Sequence, residues 1–252
     1  MKENKFDIVI NVGPKDSEVI HKQIEYTKNN IIGYRNIYLI TPNYDLKIDN
    51  CITIKENIFP FGLANCQNRY KITEKQKEKG ADCRAGWYLQ QLLKLYAGIC
   101  IPNILDRYLV VDADTYFLKP TTFIENDKCL YNTGREYHKP YFVHMENLGI
   151  GLKRYDEKIS GICHHMMFET KYVKEIMAHV ENILNQNFYT VFLNNIDNEQ
   201  ASGASEYEIY FNYMMINHSD KIKIRNLKWR NVNSLEFLNS NYDYISYHWY
   251  KR

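Results

Sequence analysis

Long uncharged apolar runs are missing from this sequence, and with them any segment of the roughly 20 residues a helix needs to cross a bilayer. The start, Met1-Lys2-Glu3-Asn4-Lys5-Phe6-Asp7, has no apolar stretch of the kind a signal peptide carries. The chain is therefore expected to be soluble. Proline (6) and glycine (11) are sparse among 252 residues, and no Pro-, Gly- or Ser-rich stretch marks a linker. No internal repeat or low-complexity tract breaks the chain either, so one domain over 1–252 with a substantial core is expected. Neither sign of charge dominates: 32 basic and 30 acidic residues leave a formal +2, which gives no argument for a nucleic-acid partner. The six cysteines, at 51, 66, 83, 100, 129 and 163, include no CxxC pair. Reduced thiols and a reducing, cytoplasmic compartment are the reading that follows.

What is present is an alternation of apolar strands and amphipathic helices. Phe6 to Ile10 is a short apolar run with turn residues behind it, and Lys15 to Asn29 has apolar residues at helical spacing. Asn36 to Ile40 and Cys51 to Ile54 read as strands, Gly86 to Gly98 as a strong helix, and Arg107 to Val111 as a further strand. Lys171 to Leu184 and Glu206 to Met215 read as later helices. This order predicts an α/β fold, an α/β/α sandwich around a predominantly parallel sheet, with ligands at the carboxyl ends of its strands. The polar stretch Asn65 to Asp82 is either a lid over a ligand or an ordinary exposed loop.

Chemistry concentrates where the apolar strand Arg107-Tyr108-Leu109-Val110-Val111 runs into Asp112-Ala113-Asp114. Side chains repeat every second residue in extended backbone, so the two carboxylates project to one side while Ala113 leaves room for a ligand. Mg²⁺ and Mn²⁺ take oxygen donors, and Mg²⁺ commonly uses one or two carboxylates together with phosphate oxygens. The pair therefore points to a metal-diphosphate substrate. Adjacent His164 and His165 point in opposite directions if extended, which argues against a shared zinc site with Cys163. One of them would touch an acceptor hydroxyl, or else be a hydrogen-bonded core histidine.

The triplet and its surroundings resemble the DxD motif of GT-A glycosyltransferases, in particular a little-characterised bacterial and viral group. The resemblance extends to Arg84-Ala85-Gly86-Trp87-Tyr88-Leu89-Gln90-Gln91-Leu92-Leu93-Lys94-Leu95 before the DxD strand, and to Asn11-Val12-Gly13-Pro14-Lys15-Asp16 after the first strand. Ser160 to Phe168, Ser205-Glu206-Tyr207-Glu208 and Tyr247-His248-Trp249 follow in order. It implies a Rossmann-like GT-A domain and transfer of a sugar from a nucleoside diphosphate donor, UDP favoured, to a hydroxyl acceptor such as a growing glycan. Mn²⁺ or Mg²⁺ would be the cofactor, held by Asp112, Asp114 and His248, with Asp112 dividing its work between metal and ribose.

On this reading Asn11, Val12, Gly13 and Lys15 hold the nucleoside, unless that segment is simply a turn shaped by Gly13 and Pro14. Glu56 accepts the N3 hydrogen of a uracil, or is an exposed strand-end acid. Arg84 and Gln90 face phosphate or sugar, or lie on the helix surface, and Ala113 lies against the donor. Glu206 opens a helix behind Ser205, a fitting N-cap. It would act as catalytic base for an inverting transfer, or serve only the helix dipole, which would itself lower the acid's basicity. Two alternatives stay open. Asp112-Ala113-Asp114-Thr115 also matches the nucleophile motif of haloacid-dehalogenase phosphatases, although no GDxxxD follows and several βα elements precede it. A catalytically silent nucleotide-sugar-binding protein is the other.

Overall fold

The computed structural model describes residues 5–42, 46–71 and 84–252. The first half alternates as the sequence leads one to expect: β1 (Phe6–Asn11), α1 (Ile20–Asn30), a short β2 (Ile31–Ile32), β3 (Tyr34–Thr41), β4 (Ile52–Lys55), α2 (Leu63–Arg69), α3 (Ala85–Cys100) and β5 (Arg107–Val111). Short strands β6 (Thr115–Phe117), β7 (Thr121–Thr122), β8 (Ile124–Glu125) and β9 (Lys128–Tyr131) precede α4 (Lys139–Glu146). Then come β10 (His165–Glu169), α5 (Thr170–Leu184), α6 (Phe188–Asn194), α7 (Glu206–Asn217), β11 (Ile222–Ile224), β12 (Trp229–Asn231) and β13 (Tyr244–Ser246). Of the stretch read as a lid or loop, Asn65 to Arg69 is helical within α2, and residues 72–82 lie outside the described residues.

The central sheet has the order β10-β5-β1-β3-β4. β5, β1, β3 and β4 run parallel, and β10 joins the edge antiparallel to β5. The fold is thus mixed α/β with a mostly parallel sheet. Tyr108, Leu109, Val110 and Val111 are each 0% exposed, which is why β5 reads as an unbroken apolar run and not as an alternating one. Burying each such side chain is worth roughly 1.5–3 kcal/mol. The chain leaves β1 for β3 on one side, and β5 takes the place on the other side, so the carboxyl ends of β1 and β5 flank the point where strand order reverses. A crevice forms at such a point, since the connections diverge there.

Two smaller sheets finish the frame. In the order β12-β13-β6, β13 pairs antiparallel with β6, so residues 244–246 return to the segment just after the Asp pair. The other is β11-β9-β8. Gly161 lets the chain before β10 lie on α7, because a Cβ there would meet Phe211 Cβ at 2.5 Å and the Tyr207 carbonyl oxygen at 2.9 Å. No helix among the described residues is long and apolar enough to cross a membrane. Among the described cysteines 51, 100, 129 and 163 are free thiols, and Cys83 lies outside the described residues.

Candidate active site

The end of β5 places Asp112 at the crevice, and the backbone fixes it from both sides. Its N–H donates to the His164 carbonyl at 3.0 Å, extending the β5–β10 ladder by one step, and its carbonyl accepts the Thr115 N–H at 3.0 Å. His164 reaches this position with φ +62°, in the left-handed region. For a residue with a Cβ that costs roughly 1–3 kcal/mol, a strain that clusters at functional positions. The next residue, His165, turns away from the crevice. Its Nδ1 hydrogen-bonds the Cys163 carbonyl at 2.9 Å, and its ring packs on Phe117, Phe123 and Tyr244. Burial pushes its pKa down to about 3, so it is a neutral core side chain. Of the two histidines proposed for acceptor contact, only His164 lies in the crevice.

Lys94 is the centre of the charge arrangement. It lies on α3 with its side chain 3% exposed, donating to Asp112 Oδ1 at 2.6 Å and to Glu206 Oε1 at 2.8 Å. Tyr207 also donates its hydroxyl to Asp112 Oδ1, at 2.9 Å, and the imidazole Nδ1 of His164 donates to Asp112 Oδ2 at 3.3 Å. Burial would favour neutral Lys94, but the two carboxylates outweigh it and hold the ammonium above its usual range. Burial likewise raises Asp112, yet Lys94 and His164 bring it well below the ordinary carboxylate value. Glu206 goes the other way. Burial dominates, Lys94 offsets only part of it, Asp112 adds repulsion, and its pKa ends raised. Ser205 caps α7 as expected, its Oγ accepting the Glu208 N–H at 3.2 Å. The lowered basicity that a helix N-terminus implies for Glu206 is therefore reversed by desolvation.

Asp114 belongs to a second group of charges. β13 delivers it: Tyr247 N–H donates to the Asp114 carbonyl at 2.8 Å, and Thr115 Oγ1 and Ser246 Oγ are hydrogen-bonded at 2.8 Å. This register sets His248 Nδ1 3.2 Å from Asp114 Oδ2. Arg252 lies 3.8 Å from the same oxygen and hydrogen-bonds Asp16 Oδ1 at 3.3 Å. Asp16 is raised in pKa by burial and by the nearby Asp114. The other carboxylate oxygen, Asp114 Oδ1, is buried without a hydrogen-bond donor. Among the described residues no three or more His, Cys, Asp or Glu side chains are arranged to hold a metal by themselves. The donor set instead fits a divalent cation that draws its remaining oxygens from a ligand: one unpaired carboxylate oxygen on Asp114, with an imidazole at the other.

Asp16, Lys94, Tyr207, the site carboxylates, His164 and His248, but not Arg252, line one cleft of about 310 Å³, within the size range of small-molecule sites. Asn11, Arg84, Gln90, Asp112, Ala113, Asp114, His164, Glu206 and His248 line it as the sequence suggests. Val12, Gly13, Lys15, Glu56 and His165 are not among its lining residues. Val12 is buried and Lys15 lies over the Trp249 ring at 3.7 Å. Glu56 opens a short 3-10 turn after β4, where burial raises its pKa. Arg84 donates to the Ala201 carbonyl at 3.1 Å. Sequence reasoning missed Lys94, Tyr207, Asn231 and Arg252. A signal for Lys94 existed: it is a lone charge inside the apolar stretch Leu92-Leu93-Lys94-Leu95, and such a residue is buried only with a partner.

No curated protein matches the sequence. Among solved structures, the apo form of mouse xyloside xylosyltransferase 1 is similar, with a TM-score of 0.49 and 8% identity over 98% of this chain and 99% of that one. The model of a family of unknown function, DUF6492, matches residues 18–242, and the chain belongs to that family.

Proposed function

We propose that this protein is a GT-A-type glycosyltransferase, its whole chain serving as one catalytic domain. It moves a sugar from a nucleoside diphosphate donor, a UDP-sugar, to a hydroxyl acceptor such as a growing glycan, with Mn²⁺ or Mg²⁺. The observation that carries this reading is Asp114: a carboxylate just beyond the end of a central parallel strand, on a residue that lines the cleft, with one oxygen buried and lacking a donor and an imidazole against the other. Asp114 and His248 would hold the cation, which when bound supplies positive charge to the diphosphate oxygens. Asp112, engaged by Lys94, Tyr207 and His164, serves the site through its charge and, through Lys94, its link to Glu206.

The nucleoside lies toward β1. Asn11 donates its amide to the Gln90 carbonyl at 3.0 Å, while its Oδ1 is buried without a partner and ready to accept from a base or ribose. Val12, Gly13, Lys15 and Glu56 continue that side, and Arg84 and Gln90 face phosphate or sugar. In the transfer the acceptor oxygen bonds to the anomeric carbon, the bond from that carbon to the diphosphate oxygen breaks, and its electron pair leaves with the nucleotide. Glu206 takes the acceptor proton. Its raised pKa makes it a better base than an exposed carboxylate.

Incubation with nucleotide sugars and with simple phosphate esters, each with Mn²⁺, tests the proposal. Turnover of a nucleotide sugar supports it. Turnover of phosphate esters alone would transfer the Asp112-Ala113-Asp114 motif to phosphatase chemistry, which needs an unengaged Asp112 oxygen as nucleophile. Nucleotide-sugar binding without turnover on any acceptor would leave a silent binding protein.

A further inference from the structure

Two buried polar atoms on the cleft wall have no partner and no role in the scheme above. His164 is 7% exposed, and its Nε2 is buried and unbonded, while Nδ1 is engaged by Asp112. Asn231, on β12, likewise has a buried, unpartnered Oδ1. Both residues line the cleft. An unsatisfied buried donor or acceptor is unfavourable, and a bound polar group that pairs with it removes that cost.

Topology links the two residues through Trp229. Residues i and i+2 of a strand share a face, so Asn231 shares one with Trp229, and the Trp229 ring meets the His164 ring edge to face at 5.2 Å. Trp229 in turn stacks on Tyr244 with 7° between planes, which fixes its position. Across the central sheet the order from Asn11 on β1, to the Asp pair after β5, to His164 at the start of β10 runs away from the nucleoside side. His164 and Asn231 thus lie beyond the diphosphate position, where the transferred sugar and the acceptor meet.

The geometry points to a hydroxyl-recognition subsite in which His164 Nε2 and Asn231 Oδ1 bind hydroxyl groups of a sugar. The inference rests on the transferase reading and deepens it. Asp112 is an acceptor only, so Nδ1 of His164 carries a proton, and neutral His164 presents a lone pair at Nε2. A hydroxyl both donates and accepts, and therefore satisfies Nε2 whether the ring is neutral or charged. Asn231 Oδ1 accepts from a second O–H. Asn231 Oδ1 only accepts, so an ionised phosphate or carboxylate oxygen does not satisfy it, whereas a hydroxyl satisfies both atoms.

Calorimetry with Mn²⁺ on the wild type, His164→Phe and Asn231→Leu tests this. Three titrations are compared: UDP, a panel of UDP-hexoses, and methyl glycosides added at saturating UDP. If the hydroxyls belong to the donor sugar, both variants lose about tenfold or more of the UDP-hexose affinity while UDP affinity is retained. If they belong to the acceptor, the same loss appears in the methyl glycoside titration alone. UDP-hexose and glycoside affinities both unchanged, or UDP affinity falling in step with UDP-hexose, would overturn the subsite. A wild type that binds no UDP compound would remove the transferase reading and the subsite with it. Circular dichroism separates a variant that has lost its fold, and the milder Asn231→Ala then replaces the leucine.

Discussion

His164 and His248 lie with ring centroids 4.8 Å apart, and each turns its Nδ1 to a different carboxylate of the Asp112-Ala113-Asp114 triplet, at 3.3 and 3.2 Å. The two aspartates are nevertheless unequal. Asp112 is also held by Lys94 and Tyr207, whereas Asp114 has one buried oxygen with no donor. A carboxylate with several donors around it keeps its charge, and an unpaired oxygen retains the capacity to take a ligand.

Asp114→Asn removes the charge of the carboxylate while keeping its shape. Transfer is expected to drop by about two orders of magnitude or more, since charge stabilisation by a bound cation is worth several kcal/mol. Calorimetry should show loss of Mn²⁺-coupled nucleotide binding with an unchanged melting temperature. An isotherm and rate equal to wild type would reject the assignment of Asp114.

His248→Ala should weaken the Mn²⁺–UDP complex more than UDP binding without metal. Titrations with and without a chelator separate the two. An equal fall in both would make His248 a packing residue, as its stacking on Tyr250 at 5.2 Å also allows.

Glu206→Gln keeps the size of the side chain and removes the base. Transfer should decline by roughly two to four orders of magnitude, with donor affinity little changed. Near-normal transfer by the folded variant, or a product that keeps the donor's anomeric configuration, would end the base assignment.

Lys94→Met strands two carboxylates in the interior. Breaking a buried pair costs roughly 3–5 kcal/mol, so urea denaturation should show a fall of that order. Adding Glu206→Gln removes one of the stranded charges, and the double variant should be less destabilised than the sum of the singles. Additive losses would mean that the Lys94–Glu206 contact at 2.8 Å carries no coupling.

Acid should destabilise the fold below neutrality. Burial holds His144 down at about 4 and His165 at about 3, against an ordinary value of 6.5. Between those values the unfolded chain binds more protons than the native one. The stabilisation is therefore complete above pH 6.5 and is lost as pH falls toward 4 and then 3. His164 acts oppositely: burial lowers its pKa, but Asp112 outweighs that and leaves it raised, so its contribution is present below 6.5 and fades as pH rises. Urea midpoints measured from pH 7.5 to 4 should decline, and His144→Gln should flatten the slope. A midpoint independent of pH would contradict this balance.

Much of the scaffold was legible from periodicity. The strand expected over Arg107 to Val111 has those same bounds, and the helix expected over Gly86 to Gly98 spans Ala85–Cys100. The helix expected over Lys15 to Asn29 begins only at Ile20, because Pro14–Asp16 forms a 3-10 turn. These elements bury long apolar faces, and such faces repeat in the sequence. The divergence of His164 and His165 was expected from extended backbone, but it arises otherwise: His164 precedes β10 with φ +62°, in the left-handed region, and only His165 is in the strand.

Local sequence alone determined the main strands and helices, the Asp pair beyond β5 and the Ser205 cap. Tertiary structure decided what the aspartates meet. β6, β12 and β13 are three residues each, too short for a period to show, and their register depends on partners far along the chain. That register brings His248 to Asp114 across 134 residues, and packing of α3 against α7 brings Lys94 to Glu206 across 112. Periodicity reports which face a residue is on; only the folded chain sets which charges neutralise one another, and so which carboxylate oxygen is left without a donor.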